Sequence, residues 1–543
     1  MSIRQIQTLA LVLIVCGSSM IASLDRWQLK GSDEPRYAQV AREMLETGRY
    51  ILPHLNGQPY PDKPPLYFWL SAACGWFSGE VTPYAARFPS ALFGLAVVVL
   101  TFFFGRMLFG TAAGMLAAGI LVTTEQFFSC TTNARLDTLF SFWITLALYL
   151  LYQGCVQEPP RRNICLLGWV STALAVLSKG PTGLVLPLLT MVVYLFLTKS
   201  RHKIPRLAIG TGLVLVAGLC CLWLVPACLQ AGADYTRNIL LTQSFGRVVE
   251  AFAHEAPFYF YLISFPLDFL PWTLFLPAAM LYFWRTRHEQ TLFLFPLVWW
   301  ATVFIFFSGV SGKRNLYLLP LYPAAALLMG KFLSDVQSSE EVQKQVAQWK
   351  LFTVPCFMVG VLFISTGALL FALLANLMVP FQTTALGTVM LTAGGIAAFG
   401  AGIILLRAQR RHGIQANAPR ALLIGCALVS VLWLWWIKPV LETDRPEKKF
   451  CETIQKTISP HDALYASFEP EFFNYFLHRY PIPVVRDPAE VERLIRSPSP
   501  SYFLVKERDF KRLPDQLKNH LLVLDKADIG HKTIYFLTNT PRT

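Results

Sequence analysis

A few carboxylates and cations in this chain stand at the ends of apolar runs, where charged side chains are placed to do chemistry. Asp33 and Glu34, in GSDEPRYA, follow the first apolar span, and Asp137, in NARLD, opens a later one. Carboxylates held at a membrane boundary are costly and commonly functional. Two of them could bind the hydroxyl or amino groups of a sugar, or accept a proton during group transfer. Asp33 with Pro35 behind it also reads as an ordinary helix start, with the Asp as N-cap. Capping does not account for a second acid at another helix end.

The cations complement these acids. Lys63 in DKPPLYFW precedes two prolines, so a stiff turn presents it. That suits a lipid phosphate or pyrophosphate; the plainer reading is a lysine snorkelling to the interface. Lys313 and Arg314 in SGVSGKRNLYLLP form a second candidate phosphate clamp, with Tyr317 one turn into the next helix. A later loop holds Arg247, His254, Tyr259 and Tyr261. A lone His in such a loop is more often a surface or packing residue, but with Asp62 it could join a divalent zinc or magnesium site. The expected roles are catalysis by Asp33, Asp137 and Lys63. Glu34, Arg36, Tyr37, Arg247, Lys313, Arg314 and Tyr317 are expected to contact substrate.

The elements that must position them are membrane helices. The 543 residues are 54% hydrophobic and 15% charged. Apolar runs of roughly 17–25 residues recur, each long enough to cross a bilayer as a helix. They fall at about 6–24, 87–108, 113–130, 138–155, 164–178, 182–198, 207–229, 269–284, 291–308, 316–332, 351–375, 383–407 and 421–437, about thirteen in all. The first lacks a clear small-residue cleavage site and reads as a retained helix. With the N-terminus inside, the inner loops hold Arg161, Arg162, Lys199, Arg201, Lys203, Arg206, Arg285, Arg287, Arg407, Arg410, Arg411 and Arg420, as the positive-inside rule requires. An odd number of spans puts the C-terminal segment outside.

The polar stretch Gly31–Trp69, the turns Asn133–Asp137, Ser178–Thr182 and Ser308–Asn315, and the loop Ala231–Pro257 then share that outer face. Long outer loops translocate regardless of charge. In the two very short turns, by contrast, Lys179 and Lys313 sit at span ends without topological benefit, which marks them as functional.

The net charge of +14 is the signature of those inner loops. No basic-aromatic platform for nucleic acid appears, so nucleic acid is not an expected partner. The eleven cysteines lie mostly alone in apolar spans, with no CxxC or metal-knuckle spacing, and read as small buried hydrophobes rather than a disulfide framework. Residues 333–350 read as a charged helical loop on the inner side.

From about residue 444 the pattern changes. Helices at Pro446–Ile458, Pro470–Leu477 and Pro488–Ile495 alternate with strand-like runs at Ala463–Ser467, Tyr502–Val505 and Lys532–Leu537. The domain expectation is a membrane region 1–443, with its first outer loop at 25–86, and a soluble α/β domain 444–543. No glycine-rich phosphate loop follows a strand there, so nucleotide binding is not expected.

The combination GSDEPRYAQVAREMLETGRY…PHLNGQPYPDKPPLYFW resembles the first periplasmic loop of bacterial lipid A aminoarabinose transferases, which are protein O-mannosyltransferase-like, GT-C glycosyltransferases. The resemblance continues through NARLDTLFSFW, SKGPTGLVLPLL, HEAPFYFYLISFPLDFLPW and GKRNLYLLPLYP. It implies a GT-C-like polytopic α-helical membrane protein with periplasmic juxtamembrane helices and a small C-terminal α/β domain. It implies transfer of a sugar from an undecaprenyl phosphate donor to lipid A or another envelope acceptor, with the surrounding membrane lipids as its medium. The family's first-loop Asp maps onto Asp33, its second Asp onto Asp137 and its KPP lysine onto Lys63. The GK…Y segment maps onto Lys313 and Tyr317, and Asp62 stands where relatives carry an acid; the match is looser around His254. A monomer is the favoured state, in the inner membrane of a bacterium.

Two other readings compete. A transporter or flippase would place ionisable or helix-breaking features near the middle of paired spans, often in repeats; here the polar residues gather at one face and no repeat is seen. A polymerase or ligase of surface polysaccharides would use the same kind of donor, and only substrate assays separate it.

Overall fold

The computed structural model describes residues 3–239, 255–286, 292–348, 354–361, 365, 418–443, 446–459, 461–530 and 532–539. Arg247, His254, the whole of the expected span 383–407 and most of 351–375 lie outside the described residues. By its internal contacts the chain forms two compact units.

The first unit comprises Met1–Arg26, Pro61–Tyr67 and Arg87–Lys438. It is a helical membrane bundle. Among the described residues four helical stretches are long and apolar enough to cross a bilayer: Pro83–Phe109, Leu136–Cys155, Arg201–Arg237 and Asn315–Ser338. Two bent pairs bring this to six, and Ile6–Ala22, Thr182–Leu197, Leu294–Gly309 and Pro419–Trp435 are shorter apolar helices. The architecture is the polytopic helical bundle expected from sequence.

The bends have local causes. Thr111–Val122 and Glu125–Thr131 meet at 69°, where Thr123 and Thr124 turn their hydroxyls back to the carbonyls of Gly119 (2.7 Å) and Ile120 (2.8 Å). The bond to Ile120 satisfies a carbonyl that the break would otherwise orphan, since the Thr124 amide turns to Leu121 instead. Phe260–Asp268 and Trp272–Thr286 meet at 107° in a segment carrying Pro266 and Pro271, which cannot donate to a helical ladder. The two breaks are joined: Trp272 Nε1 donates to Thr123 Oγ1 (3.1 Å) and the Glu125 amide to the Leu270 carbonyl (3.2 Å).

Small residues let the helices touch backbone to backbone. A Cβ on Gly105 would lie 2.7 Å from Gly114 Cα, and one on Gly330 2.7 Å from the backbone of both Ala113 and Ala117. The helix Thr111–Val122 is thereby clasped on two sides.

The second unit comprises Trp27–Tyr60, Phe68–Ala86 and Pro439–Thr543, so most of the opening polar loop packs with the C-terminal segment. The helix of the loop runs Asp33–Thr47 and is largely buried. Its N-cap is Ser32, without a side-chain capping bond, and Gly48 closes it at φ 69°. Asp33 is therefore the first helical residue rather than a cap.

A two-residue Asn56-Gly57 turn, with φ of 55° and 76°, follows and pairs His54–Leu55 with Gln58–Pro59, as Asn-Gly sequences favour. Glu43 holds this turn by accepting the amides of Asn56 (2.8 Å) and Gly57 (2.9 Å).

The C-terminal segment adds a four-stranded sheet in the order Ala463–Ala466, Ser501–Lys506, Lys532–Thr538, Leu522–Ile529. The first pair is parallel and the others antiparallel. Phe450, Ile454, Phe473, Leu504 and Phe536 belong to one apolar cluster, and Ile495, Phe503, Leu517 and Leu537 to another. Since Phe503 and Leu504 adjoin on one strand, as Phe536 and Leu537 do on another, the clusters lie on opposite sides of the sheet.

Candidate functional site

Several turns of the first unit converge at one end of the bundle. Asp137 sits in the first turn of Leu136–Cys155, after an extended Arg135, and is 3% exposed. Lys179 ends the helix Arg162–Lys179. An acid at a helix N-terminus and a cation at a C-terminus are each favoured by the helix dipole, so both ends are locally well placed. Lys179 Nζ donates to Asp137 Oδ1. The same ammonium lies 4.4 Å from the Tyr317 ring and 5.3 Å from the Phe140 ring, which adds cation–π attraction in a site shielded from water.

Tyr317 comes from the 3-10 turn Asn315–Leu321, whose Leu319 carbonyl accepts from Ser141 Oγ at 3.3 Å. Just ahead of it, Lys313 is 6% exposed and donates to the carbonyls of Ala256 (2.9 Å) and Val310 (2.6 Å). Two of its three N–H bonds are thus committed to backbone, which leaves one for a ligand. Arg314 exchanges backbone bonds with the Tyr261 hydroxyl, at 3.2 and 3.3 Å.

Asn315 donates from Nδ2 to Asp268 Oδ1 (3.0 Å). Asp268 is 6% exposed, and its other oxygen, like the Tyr322 hydroxyl, is buried without a hydrogen-bond partner among the described residues. Neither Asp268 nor Asn315 was singled out from sequence. The available signal was an acid inside the apolar run FPLDFLPW, since intramembrane acids are functional candidates by default.

The Lys63 segment is anchored to the Asp137 turn within the same unit. Lys63 and Asp62 are half-buried in the irregular stretch before the helix Leu66–Ser78. Four residues on from Lys63, the Tyr67 hydroxyl meets Ser90 Oγ at 2.8 Å. Ser90 Oγ accepts from the Arg135 amide (2.8 Å) and donates to the Arg135 carbonyl (2.9 Å). On the other side, buried Lys438 lies 3.3 Å from both Thr132 Oγ1 and Asn133 Oδ1. Asp137, Lys179 and Tyr317 are therefore brought together, with Lys63 tethered through Tyr67 and Ser90.

The acids of the opening loop belong to the second unit. Asp33 is 6% exposed and Glu34 fully buried; Glu34 Oε2 accepts the Lys30 amide at 2.8 Å, which fixes the entry to its helix. Arg36 donates to Glu471 Oε2 from Nε (2.7 Å) and approaches it again through Nη2 (2.5 Å), with Asp33 at 4.0 Å. Burial works to lower the Arg36 pKa, but Glu471, with Tyr60 and Asp33, outweighs it and raises the pKa overall. Tyr37 is buried edge-on to Phe68, with ring centres 5.7 Å apart.

Arg247 and His254 lie outside the described residues, so the Asp62–His254 metal pairing has no geometry to judge. Among the described residues no group of three or more His, Cys, Asp or Glu could hold a metal ion.

Comparisons with known proteins agree with this architecture. Residues 8–241 match the dolichyl-phosphate-mannose-protein mannosyltransferase family. The undecaprenyl phosphate-α-4-amino-4-deoxy-L-arabinose arabinosyl transferase of Yersinia enterocolitica is 27% identical over 429 residues, covering 78% of this chain and 74% of that protein. Its namesake from Serratia proteamaculans is 31% identical over 314 residues, 57% of this chain and about half (55%) of that protein. The fold superposes on the crystal structure of ArnT from Cupriavidus metallidurans bound to undecaprenyl phosphate, with TM-score 0.75, 18% identity and 98% of each chain covered. With an acid, a cation and a tyrosine gathered at one end of such a bundle, the chain is a membrane glycosyltransferase of GT-C fold that resembles the protein O-mannosyltransferases and the aminoarabinose transferases.

Proposed function

We propose that the chain moves 4-amino-4-deoxy-L-arabinose from undecaprenyl phosphate to a lipid A phosphate or a related envelope acceptor, on the periplasmic face of the bacterial inner membrane. The observation that carries this reading is the alignment with transferases of that name over most of the chain. The N-terminus is then cytoplasmic and the C-terminal segment periplasmic.

The chemistry is a single displacement. An acceptor oxygen attacks the anomeric carbon while the bond from that carbon to the carrier phosphate breaks and its electron pair leaves with undecaprenyl phosphate. Negative charge grows on the departing phosphate, and fixed cations that meet it there lower the barrier. Lys63, Lys313 with its spare N–H, Arg314 and Arg247 are assigned to that task, with Tyr317 beside them.

Asp137 is tied to Lys179. It suits holding a sugar hydroxyl or ammonium better than taking a proton. Asp33 orients the acceptor or, for a neutral one, deprotonates it; a lipid A phosphate is already anionic and needs positioning more than base. Glu34, Arg36 and Tyr37 support Asp33. Asp62 and His254 remain a candidate divalent-metal pair, and no step requires the metal.

Mass spectrometry of lipid A from cells lacking the gene, and from the same cells complemented, tests the assignment. A pentosamine-sized addition lost on deletion and restored on complementation is expected. Unaltered lipid A with another glycan changed would replace this acceptor. An envelope identical in every glycan would overturn the reading.

A further inference from the structure

The membrane end remote from Asp137 carries a second polar site. The helix Leu136–Cys155 has 20 residues, so its far end lies about 30 Å from Asp137 at 1.5 Å per residue. There the turns 156–161 and 198–208 meet. Arg206 Nη1 lies 2.6 Å, and Lys203 Nζ 3.4 Å, from Glu158 Oε1, and Lys203 Nζ also donates to the Val156 carbonyl at 2.9 Å.

Between these turns opens a cavity of about 580 Å³, bordered by Gly154, Arg162, Arg206, Ala208, Gly210 and Thr211. Its charge is one-sided. The two turns and their edges hold Arg161, Arg162, Lys199, Arg201, Lys203 and Arg206 against the single carboxylate of Glu158. Glu158 is engaged by Lys203 and Arg206. Arg162, among the described residues, reaches only Thr211 Oγ1, at 3.5 Å. The helix Ile209–Arg237 begins at the cavity with no side-chain cap and no acid in its first turn, so its leading amides add to the positive field.

The walls beyond the cavity are apolar. Leu167 on one flanking helix and Leu213 and Val214 on the other are exposed. A phosphate held between the turns would have hydrocarbon surface running away from it along the bundle, as the two parts of a phospholipid require.

We propose that this cavity binds the phosphate of an anionic phospholipid, with Arg162 as the principal contact. Basic pockets between membrane helices at a headgroup level are a recurrent form of lipid recognition. A zwitterionic lipid brings an amine into the same field and gains less. The inference rests on the membrane fold and not on the sugar or acceptor proposed above.

Native mass spectrometry of the full chain in mild detergent tests it, with phosphatidylglycerol, phosphatidylethanolamine and inorganic phosphate as separate probes. Phosphatidylglycerol should be retained in preference to phosphatidylethanolamine, and Arg162→Gln should weaken it about fivefold. Gly210→Asp is the second variant. A Cβ at Gly210 meets nothing within 4 Å, and an acid in the first helical turn is compatible with the helix, yet it faces the bound phosphate with like charge. It should abolish the preference.

Equal retention of the two lipids by the unaltered protein, or full phosphatidylglycerol binding in both variants, would overturn the proposal. Inorganic phosphate competing as strongly as the lipid would make this a site for a soluble anion and overturn the lipid reading. An absence of sugar transfer in the unaltered protein, with lipid binding intact, would count against the proposed function and leave this one standing.

Discussion

The Tyr67 hydroxyl lies 2.8 Å from Ser90 Oγ, and Ser90 holds both the amide and the carbonyl of Arg135. One serine thus locks the extended residue two before Asp137 to the KPPLY segment. Tyr67→Phe removes one hydrogen bond and should cost about 1 kcal/mol. Ser90→Ala removes three and should cost more. If Ser90 fixes where Asp137 and Lys63 stand, Ser90→Ala lowers transfer out of proportion to its loss of Tm. Activity that simply tracks folded protein, measured as turnover per monodisperse enzyme, would defeat that assignment.

The pair Asp137–Lys179 yields a sharper test. Removing one partner of a buried ion pair leaves an unpaired charge, at about 3–5 kcal/mol. Asp137→Asn and Lys179→Met should each lower Tm strongly and stop sugar transfer. The double variant Asp137→Asn/Lys179→Met removes both charges and should recover most of the Tm. Its transfer should stay absent if Asp137 meets the sugar. Recovered transfer in the double variant would make the pair a structural fastening only.

Much of this site could be read before any coordinates, and the reasons are specific. Asp137 and Lys313 lie in short polar turns between apolar spans, where charge is rare enough to stand out, and Lys63 stands out in its longer loop by the two prolines that follow it. The strands Ala463–Ala466 and Lys532–Thr538 fall within a residue of the expected bounds; in the second, Thr533, Ile534, Tyr535 and Phe536 supply β-branched and aromatic content that contrasts with its neighbours.

Other features were not local. Nothing in the spacing of Asp137 and Lys179, 42 residues apart, says that they bond, since that depends on how two helices cross. The strand Leu522–Ile529 was missed because Asp525, Lys526 and Asp528 mask its pattern; it is an edge strand with a bulge between Val523 and Asp525, where charge is tolerated. The association of the opening loop with the C-terminal segment depends on buried bonds such as Arg42 Nη1 to the Tyr475 carbonyl, 2.8 Å. No pattern within either stretch reports it.

Asn56 concentrates that association. Its side chain accepts from the Ile482 amide (2.7 Å) and from Asn474 Nδ2 (2.9 Å), and donates to the Ile482 carbonyl (2.9 Å). Its own φ is 55°, where Asn is tolerated far better than most residues. Asn56→Ala should cost about 2–4 kcal/mol through lost buried bonds and backbone strain. Limited proteolysis should then release the C-terminal segment at lower temperature. Asn56→Gly, which keeps the turn but not the bonds, should fall between. Equal protease resistance in all three forms would show that the bonds carry no weight.

Asp268 poses the opposite problem, a buried carboxylate whose second oxygen has no partner among the described residues. Such a group is a stability liability unless something outside the chain completes it. Asp268→Asn removes the charge and keeps an oxygen for the Asn315 amide. It should leave Tm unchanged or raise it, the usual result of relieving strain kept for function. If the bare oxygen serves a sugar hydroxyl or ammonium, the same change should lower turnover by about tenfold or more, the scale of one charge-assisted hydrogen bond. Paired Tm and turnover measurements decide it. A stabler enzyme with full turnover would make Asp268 a packing residue, and a destabilised one would show that its charge is already balanced within the protein.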